Sequence, residues 1–282
     1  MDDLTPVTDP ALIARLTASI EDDDDGPVRD LAAEHARADL ANRFAQPGET
    51  VFDLPAGLYN PNNDEVVREV EVRELNGVDE EALAKIKNEG RMVNAILERA
   101  TVRIGEHKAS VSLLDDLLIG DRDAVLIGIR QATFGDDLEL NVTCPHCQEK
   151  QKVDLLLSQD VPVKRHDDVS QRFLEIQGSK GMITAELPTG RTQKKLMSAS
   201  DSGKSAAELN TILLAACVTD IDGEIMVNES AVRRLGLGDR AKVIDAIVAA
   251  APGPQLSELS RTCVACSKEI ELPLALSDLF RP

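Results

Sequence analysis

Two Cys-x-x-Cys pairs constrain the fold of this chain more than any other feature of its sequence. They are Cys144 with Cys147 and Cys263 with Cys266, and apolar and polar residues alternate on both sides of the first pair and after the second. Such a pair at the tip of a hairpin has zinc-knuckle geometry, in which two sulfurs reach one metal ion. Four thiolates form a closed tetrahedral site, with Zn–S distances of about 2.3 Å and no position for a water molecule. The predicted metal is therefore structural.

The type and spacing of the ligands decide which metal fits. Four soft sulfur ligands exclude magnesium and calcium and favour zinc, with iron as the alternative. The sequence predicts one zinc per chain. However, the two pairs stand 116 positions apart (263 − 147), far beyond the ~15–20 residues of a self-contained finger. Disulfides, independent sites and a thioredoxin-like redox pair are the alternatives; the redox motif belongs between a strand and a helix, which does not fit a hairpin tip.

An internal duplication explains how the two pairs can meet. Four landmarks recur in the same order, at offsets of 133, 116, 118 and 119 residues. They are Leu-Pro-x-Gly at 54–57 and 187–190, an apolar segment from Asn94 and from Asn210, Gly-Asp-Arg at 120–122 and 238–240, and Thr-Cys-x-x-Cys at 143–147 and 262–266. We predict two pseudo-repeats, residues 49–157 and 169–275, each contributing one knuckle to a shared site across a pseudo-twofold axis. Convergent patterning is the alternative explanation.

Each repeat is predicted to contain a strand, helices and a terminal hairpin, which makes an α+β fold with a zinc-ribbon-like centre. Val70 and Val72 alternate with charged residues, as in a strand, whereas Asp79 and Asp121 are candidate helix N-caps. Further helix and strand positions are Val125, Leu126 and Ile129; Leu138, Leu140 and Val142; Val153 and Leu155; Val243, Ile244 and Ile247; and Ile270, Leu272 and Leu274. Residues 158–168 are predicted to be a linker and 276–282 a tail.

Residues 1–48 are predicted to form a separate acidic arm. Residues 1–49 hold 12 acidic and 4 basic side chains, which is −8 of the total net charge of −19. Asp9-Pro10 is a typical helix start. The apolar residues that follow share one helical face: Leu12, Ile13, Leu16 and Ile20. We expect a helical arm that either docks on a partner or packs on the body of the protein. A solvated terminus without fixed structure is the alternative.

Charge and motifs exclude several classes of function. A net charge of 31 − 50 = −19 opposes nucleic-acid binding, since that affinity comes mainly from Lys and Arg. No apolar run approaches the ~18 residues of a membrane span, and the start has no secretory signal pattern. The segment 202–205 (Ser-Gly-Lys-Ser) has the ending of a phosphate loop, but Ser198 stands where the first glycine is required. No nucleophile, base and orienting group come together, so no enzyme and no small-molecule substrate are predicted.

The remaining cysteine and the histidines are assigned structural or surface positions. Cys217 lies in an apolar stretch and is expected to be a buried small hydrophobe. His146 lies inside the first cysteine pair and could replace a ligand, but Ala265 stands at the equivalent place in the second pair, which favours an exposed loop histidine. The other histidines stand in polar sequence and are expected to face solvent: His35, His107 and His166.

Three long segments of the chain resemble a known family. They are VFDLPAGLYNP from Val51, VEVRELNGVDEEALAKI from Val70, and LLDDLLIGDRDAVLIGIRQATFGDDLELNVTCPHC from Leu113. Together they resemble the T4-type bacteriophage base plate protein family, found in contractile tails and related injection systems. The resemblance covers roughly residues 50–157 and extends more weakly to the second repeat, while the acidic arm lies outside it.

The resemblance implies a role in building the base plate hub, as a component or as an assembly factor. It implies other tail or base plate hub proteins as partners, and a location in the bacterial host cytoplasm during assembly or in the tail base plate of the virion. The family offers no catalytic residues to carry over. A zinc-ribbon adaptor contacting nucleic acid or a transcription complex is the alternative function, but it would need clustered basic residues, whereas Lys150 and Lys152 stand beside Glu149 and Asp154.

Overall fold

A computed structural model describes residues 49–225, 227–272, 274, 279 and 280. The predicted arm at 1–48 and most of the predicted tail lie outside the described residues. The strands are β1 (Glu49–Asn60), β2 (Glu65–Arg73), β3 (Thr101–Ile104), β4 (His107–Lys108), β5 (Asp137–Thr143), β6 (Lys150–Leu156), β7 (Val163–Lys164), β8 (Phe173–Gln177), β9 (Met182–Glu186), β10 (Val218–Ile221), β11 (Gly253–Pro254), β12 (Ser260–Thr262) and β13 (Glu269–Glu271).

Helices alternate with these strands along the chain. They are α1 (Gly77–Leu83), α2 (Glu89–Ala100), α3 (Val111–Asp116), α4 (Ile119–Phe134), α5 (Leu157–Asp160), α6 (Gly190–Asp201), α7 (Ala206–Cys217), α8 (Glu229–Arg233) and α9 (Leu237–Ala250). The mixture of helix and strand confirms the α+β class.

The described strands form antiparallel sheets of four, three and two strands. A four-stranded sheet has the order β1-β2-β3-β4, and a three-stranded sheet has the order β10-β9-β8. Two separate hairpins, β5-β6 and β12-β13, carry the cysteine pairs between their strands. The short strands β7 and β11 pair with each other, so residues far apart in sequence are joined there.

Aliphatic side chains fill three buried clusters. The first joins the four-stranded sheet to α2, α3 and α4, with Leu54, Val70 and Leu97 fully buried. The second lies between the two hairpins and also contains Ile127 of α4. The third joins the three-stranded sheet to α7 and α9. Because α4 contributes to the first two clusters, it fixes the position of the hairpins against the larger sheet.

The Gly-Asp-Arg segments anchor their helices through buried polar contacts. In α4 the Asp121 carboxylate accepts a hydrogen bond from the Ala56 N–H at 2.7 Å, and the Arg122 guanidinium donates to the Leu114 carbonyl at 2.7 Å. In α9 the Arg240 guanidinium donates to the Val232 carbonyl, which again lies eight residues earlier. Each arginine therefore ties its helix to the short helix before it.

Two predicted helix caps are wrong. The N-cap of α1 is Asn76, and Asp79 is the third helical residue, whose carboxylate completes a capping box with the Asn76 backbone. The N-cap of α4 is Leu118, which forms no side-chain cap hydrogen bond, and the Asp121 carboxylate accepts from the Ala56 N–H of β1. In both cases a partner distant in sequence also contacts the acidic side chain, Arg99 for Asp79 and the Ala56 N–H for Asp121.

The Leu-Pro-x-Gly landmarks do not occupy equivalent places. Residues 54–57 lie inside β1, at the irregularity in its pairing with β2. Residues 187–190 follow β9, and Gly190 begins α6. The segment 158–168 also differs from a simple linker, since it contains the end of α5 and all of β7.

His166 is buried, so the prediction that it faces solvent is wrong. Its exposed fraction is 4%, its Nε2 atom lies 2.8 Å from the Ala250 carbonyl, and its backbone N–H donates to the Pro55 carbonyl. The polar sequence around His166 gave no sign of these contacts, because both partners come from other parts of the chain. His107 is exposed as predicted, and His35 lies outside the described residues.

Candidate metal centre

The first knuckle, residues 143–150, closes the β5-β6 hairpin. Thr143 and Lys150 form the last pair of the hairpin. Beyond them the Cys144 N–H donates to the Glu149 carbonyl at 2.8 Å, and the Gln148 N–H donates to the Cys144 carbonyl at 2.9 Å. Gln148 has a φ of 63°, a left-handed conformation that turns the chain back towards β6. The backbone thus places both cysteines of the pair on one side of a tight turn.

The second knuckle, residues 262–269, repeats this geometry. Thr262 pairs with Glu269. The Cys263 N–H donates to the Lys268 carbonyl at 2.8 Å, and the Ser267 N–H donates to the Cys263 carbonyl at 2.9 Å. Ser267 has a φ of 58°. Each of these positions lies 119 residues after its counterpart in the first knuckle.

The two knuckles meet, and their four sulfurs form one cluster. The Sγ atoms of the four cysteines all lie within 4.8 Å of one another. The distance is 3.7 Å between the sulfurs of Cys144 and Cys266, and 3.7 Å between those of Cys147 and Cys263. A tetrahedron of sulfurs at about 2.3 Å from a central zinc has edges of about 3.8 Å. The cluster therefore has the dimensions and the donor atoms of a four-sulfur metal site.

The cluster lies at the edge of the hydrophobic core between the hairpins. Cys144 and Cys263 are buried, Cys266 is partly buried and Cys147 is exposed. Leu138, Val153 and Ile270 pack in the same cluster and shield the inner sulfurs from water. A metal ion held there would be closed on its inner side, at Cys144 and Cys263, and nearer to solvent at Cys147 and Cys266.

Electrostatics around the sulfurs favour a bound cation. Burial raises the pKa of Cys144, but the backbone N–H groups of Cys147 and His146 and the neighbouring thiols lower it more, to about 7. At Cys147 the backbone N–H of Glu149 lowers the pKa, while burial and the neighbouring sulfurs raise it to about 12. Four thiolates this close repel one another, so their joint ionisation needs a positive charge among them, which a divalent metal ion supplies.

Gln151 forms a contact between the knuckles that sequence analysis missed. Its side-chain carbonyl accepts a hydrogen bond from the Val264 backbone N–H at 3.0 Å. The residue 119 positions later is Ile270, which is buried and apolar, so the duplication gave no signal for this contact. Gln151 holds the second knuckle against the first without touching the sulfurs.

The other residues considered as candidates lie away from this cluster. His146 is exposed, as expected. Cys217 is buried at 1% exposure, which confirms its prediction, and burial raises the pKa of its thiol to about 12. Ser202 ends α6, and Ser205 caps α7 in a capping box with Glu208. The segment 202–205, which resembles the end of a phosphate loop, is therefore the connection between α6 and α7.

The described part of the chain is thus an α+β protein with a four-cysteine candidate metal centre. The family model of the T4 bacteriophage base plate protein matches residues 59–188. This match confirms the similarity to T4-type base plate proteins that the sequence motifs predict, and it supports a structural role in a phage tail. No curated protein and no solved structure gives a significant match.

The match covers a different stretch from the one expected from the motifs. It begins at Tyr59, beyond the first Leu-Pro-x-Gly motif, and it ends at Pro188. The first cysteine pair lies inside the match and the second lies outside it. Within the described residues, no helix is both long and apolar enough to cross a lipid bilayer.

Proposed function

We propose that this chain is a structural or assembly protein of the base plate of a contractile phage tail, or of a related contractile injection system. The observation that carries the proposal is the base plate family match over residues 59–188. Other tail or hub proteins are the partners, and the chain acts in the host cytoplasm during assembly or in the tail base plate. Its role is non-catalytic, in keeping with a structural family.

The second part of the proposal is that Cys144, Cys147, Cys263 and Cys266 hold one structural zinc. The cluster dimensions and the all-sulfur donor set support it. The ion would join two hairpins whose nearest ligands stand 116 positions apart. Zinc would then join distant parts of the chain.

The third part is that residues 49–157 and 169–275 are pseudo-repeats. The matching hydrogen bonds of the two knuckles support it. So do the two arginines of the Gly-Asp-Arg segments, since Arg122 also donates to Asn94 and Arg240 to Thr211, on the equivalent helices α2 and α7. The displaced Leu-Pro-x-Gly landmarks limit the equivalence to the helices and hairpins.

Metal analysis of the purified, reduced protein tests the zinc. We expect one zinc per chain, and loss of the metal in Cys144→Ser and in Cys263→Ser. Cys217→Ala is the matched control, because it removes a cysteine outside the cluster and should keep one zinc. Two metals per chain, iron in place of zinc, or a folded reduced protein without metal would contradict the assignment.

The base plate role is tested by deleting the gene for this chain from the phage or injection system that encodes the protein. We expect tails without complete base plates by negative-stain electron microscopy, restored by supplying the intact chain. Mass spectrometry of purified particles and of lysate then distinguishes a component, which stays in the particle, from an assembly factor, which does not. Normal base plates in the deletion strain would contradict the proposal.

A further inference from the structure

The inner face of the β5-β6 hairpin carries one polar residue, Gln151. Side chains two residues apart share a face of a strand, so Gln151 stands on the same face as Val153 and Leu155, which are buried in the cluster between the hairpins. The equivalent positions of the second hairpin, 119 residues later (270 − 151), hold buried aliphatic residues: Ile270, Leu272 and Leu274. A polar side chain on such a face is costly unless it has a hydrogen-bond partner.

The partner of Gln151 is the backbone of the second knuckle. Its side-chain oxygen accepts a hydrogen bond at 3.0 Å from the N–H of Val264, which directly follows Cys263. The Val264 side chain is 80% exposed, so it contributes little packing to the tip. Among the described residues, no other hydrogen bond between non-sulfur atoms joins the hairpin at 137–156 to the hairpin at 260–271. Gln151 is therefore the polar contact that places the second tip against the first hairpin.

The pseudo-symmetric positions cannot form the same contact. The residue 119 positions before Val264 is Pro145, which has no backbone N–H, and Ile270 has no acceptor in its side chain. Donor and acceptor are thus both present in one direction and both absent in the other. The first knuckle forms the same backbone hydrogen bonds as the second although it contains Pro145. The Gln151–Val264 bond is therefore not required for the turn itself.

We propose that Gln151 is a positioning residue for the metal: it holds the second knuckle where the four sulfurs fit one ion, and it thereby sets the affinity of the site. This inference rests on the zinc proposed above. Residues that orient metal ligands without touching the ion typically contribute about 10–100-fold to metal affinity. Gln151 can do this because its own backbone is fixed by pairing with Val142 in the β5-β6 ladder.

Competition for zinc between the full reduced chain and a chromophoric chelator measures this affinity. Gln151→Leu removes the acceptor, and Val264→Pro removes the donor with the residue that the first knuckle already has at the equivalent position. Each should weaken zinc binding by about 10–100-fold. Because both changes remove the same bond, the double variant should bind no more weakly than either single variant. Asn141→Leu is the control, since it is the same kind of change at an exposed position of β5, and it should bind zinc as the wild type does.

Cobalt(II) in place of zinc supplies a readout that a general loss of stability would not give. All four sulfurs remain, so the sulfur-to-cobalt charge-transfer absorption at saturation should keep its intensity, while the cobalt concentration needed to reach it rises in Gln151→Leu and Val264→Pro. A wild-type chain that binds no metal would overturn the zinc assignment itself. One zinc in the wild type with unchanged affinity in both single variants, losses that add in the double variant, or weaker absorption at saturating cobalt would overturn the role of Gln151 alone.

Discussion

The proposed zinc would make single cysteines of the four-sulfur cluster decisive for stability. Structural zinc in small domains contributes about 10–16 kcal/mol of apparent binding free energy. We therefore expect Cys144→Ser and Cys263→Ser to lose several kcal/mol of unfolding free energy relative to the wild type, measured by urea titration in buffer that contains zinc. Cys217→Ala, which leaves only a small cavity, should cost about 1–2 kcal/mol. Equal losses in all three variants would show that the four-cysteine cluster holds no stabilising metal.

The sequence predicts Asp79 as a helix N-cap, but its side chain lies in a buried group of charged residues. Its buried carboxylate contacts Arg73 at 2.6 Å and Arg99 at 2.7 Å, and it accepts from the Asn76 backbone N–H. Burial alone would raise the pKa of Asp79, but the hydrogen bonds from Arg73, Asn76 and Arg99 outweigh it and lower the pKa to about 2. The ionised form is thus stabilised by the fold.

Asp79→Asn should destabilise the protein by about 2–3 kcal/mol at pH 7, because it removes charge-assisted hydrogen bonds from two arginines. Since the folded pKa lies below the ordinary value, this contribution is present above pH 4 and is lost as the pH falls towards 2. The difference between wild type and variant in urea titrations should shrink over that range. Glu80→Gln, at an exposed neighbouring position, should have little effect, and a pH-independent Asp79→Asn difference would contradict the ion-pair explanation.

At the scale of elements, the same Gly→Ala substitution is expected to have opposite effects on stability in the two Gly-Asp-Arg helices. A Cβ at Gly120 would lie 1.8 Å from the Pro252 carbonyl oxygen, whereas a Cβ at Gly238 would meet nothing within 4 Å. Gly120→Ala should therefore lower the free energy of unfolding by about 1–3 kcal/mol, because the added methyl group overpacks this site. Gly238→Ala should raise the free energy of unfolding by about 0.5–1 kcal/mol, because alanine has a higher helix propensity than glycine.

Thermal melts of the two variants and the wild type, under the same conditions, test this difference. Both substitutions are the same chemically and occupy the same position of the same motif. Only the packing around the helix differs, because β11 covers α4 and not α9. Similar effects of the two substitutions would mean that α4 and β11 do not pack as described.

At the scale of the whole molecule, the acidic arm at residues 1–48 remains a prediction. Burying the four aliphatic residues of its first helix could contribute roughly 6–12 kcal/mol, at ~1.5–3 kcal/mol each. Ordering some twelve residues at ~1–2 kcal/mol each offsets most of that. Helix-in-groove docking on a tail or hub protein would therefore be modest and reversible.

Deletion of residues 1–46 should leave zinc content and melting of the body nearly unchanged and should weaken binding to purified tail particles. The full chain is the reference in the same pull-down. Unfolding of the truncated protein would show that the arm belongs to the core. Undiminished binding would show that the arm is not the docking element.

Most of the correct sequence-based predictions came from the cysteine pattern and from the alternation of apolar and polar residues in strands. Ligand chemistry is a property of residue type, so two Cys-x-x-Cys pairs specify soft-metal geometry wherever they meet. Alternation of apolar residues from Leu138 to Val142 follows from the two-residue period of a strand with one buried face. After the second pair the strand β13 ends at Glu271, but the same alternation correctly places Leu272 and Leu274 in the buried cluster between the hairpins.

The sequence by itself determined the α+β class, the hairpins and the residues able to bind a metal, because these depend on patterns within a few residues. Tertiary structure alone decided the partners of buried polar groups. Asp79 pairs with Arg99, twenty residues away, and His166 contacts Ala250, eighty-four residues away. Burial of a polar side chain is tolerated only where a hydrogen-bond partner compensates for lost water, and part of that compensation comes here from residues distant in sequence. That partner is chosen by the packing of whole elements, which no local pattern encodes.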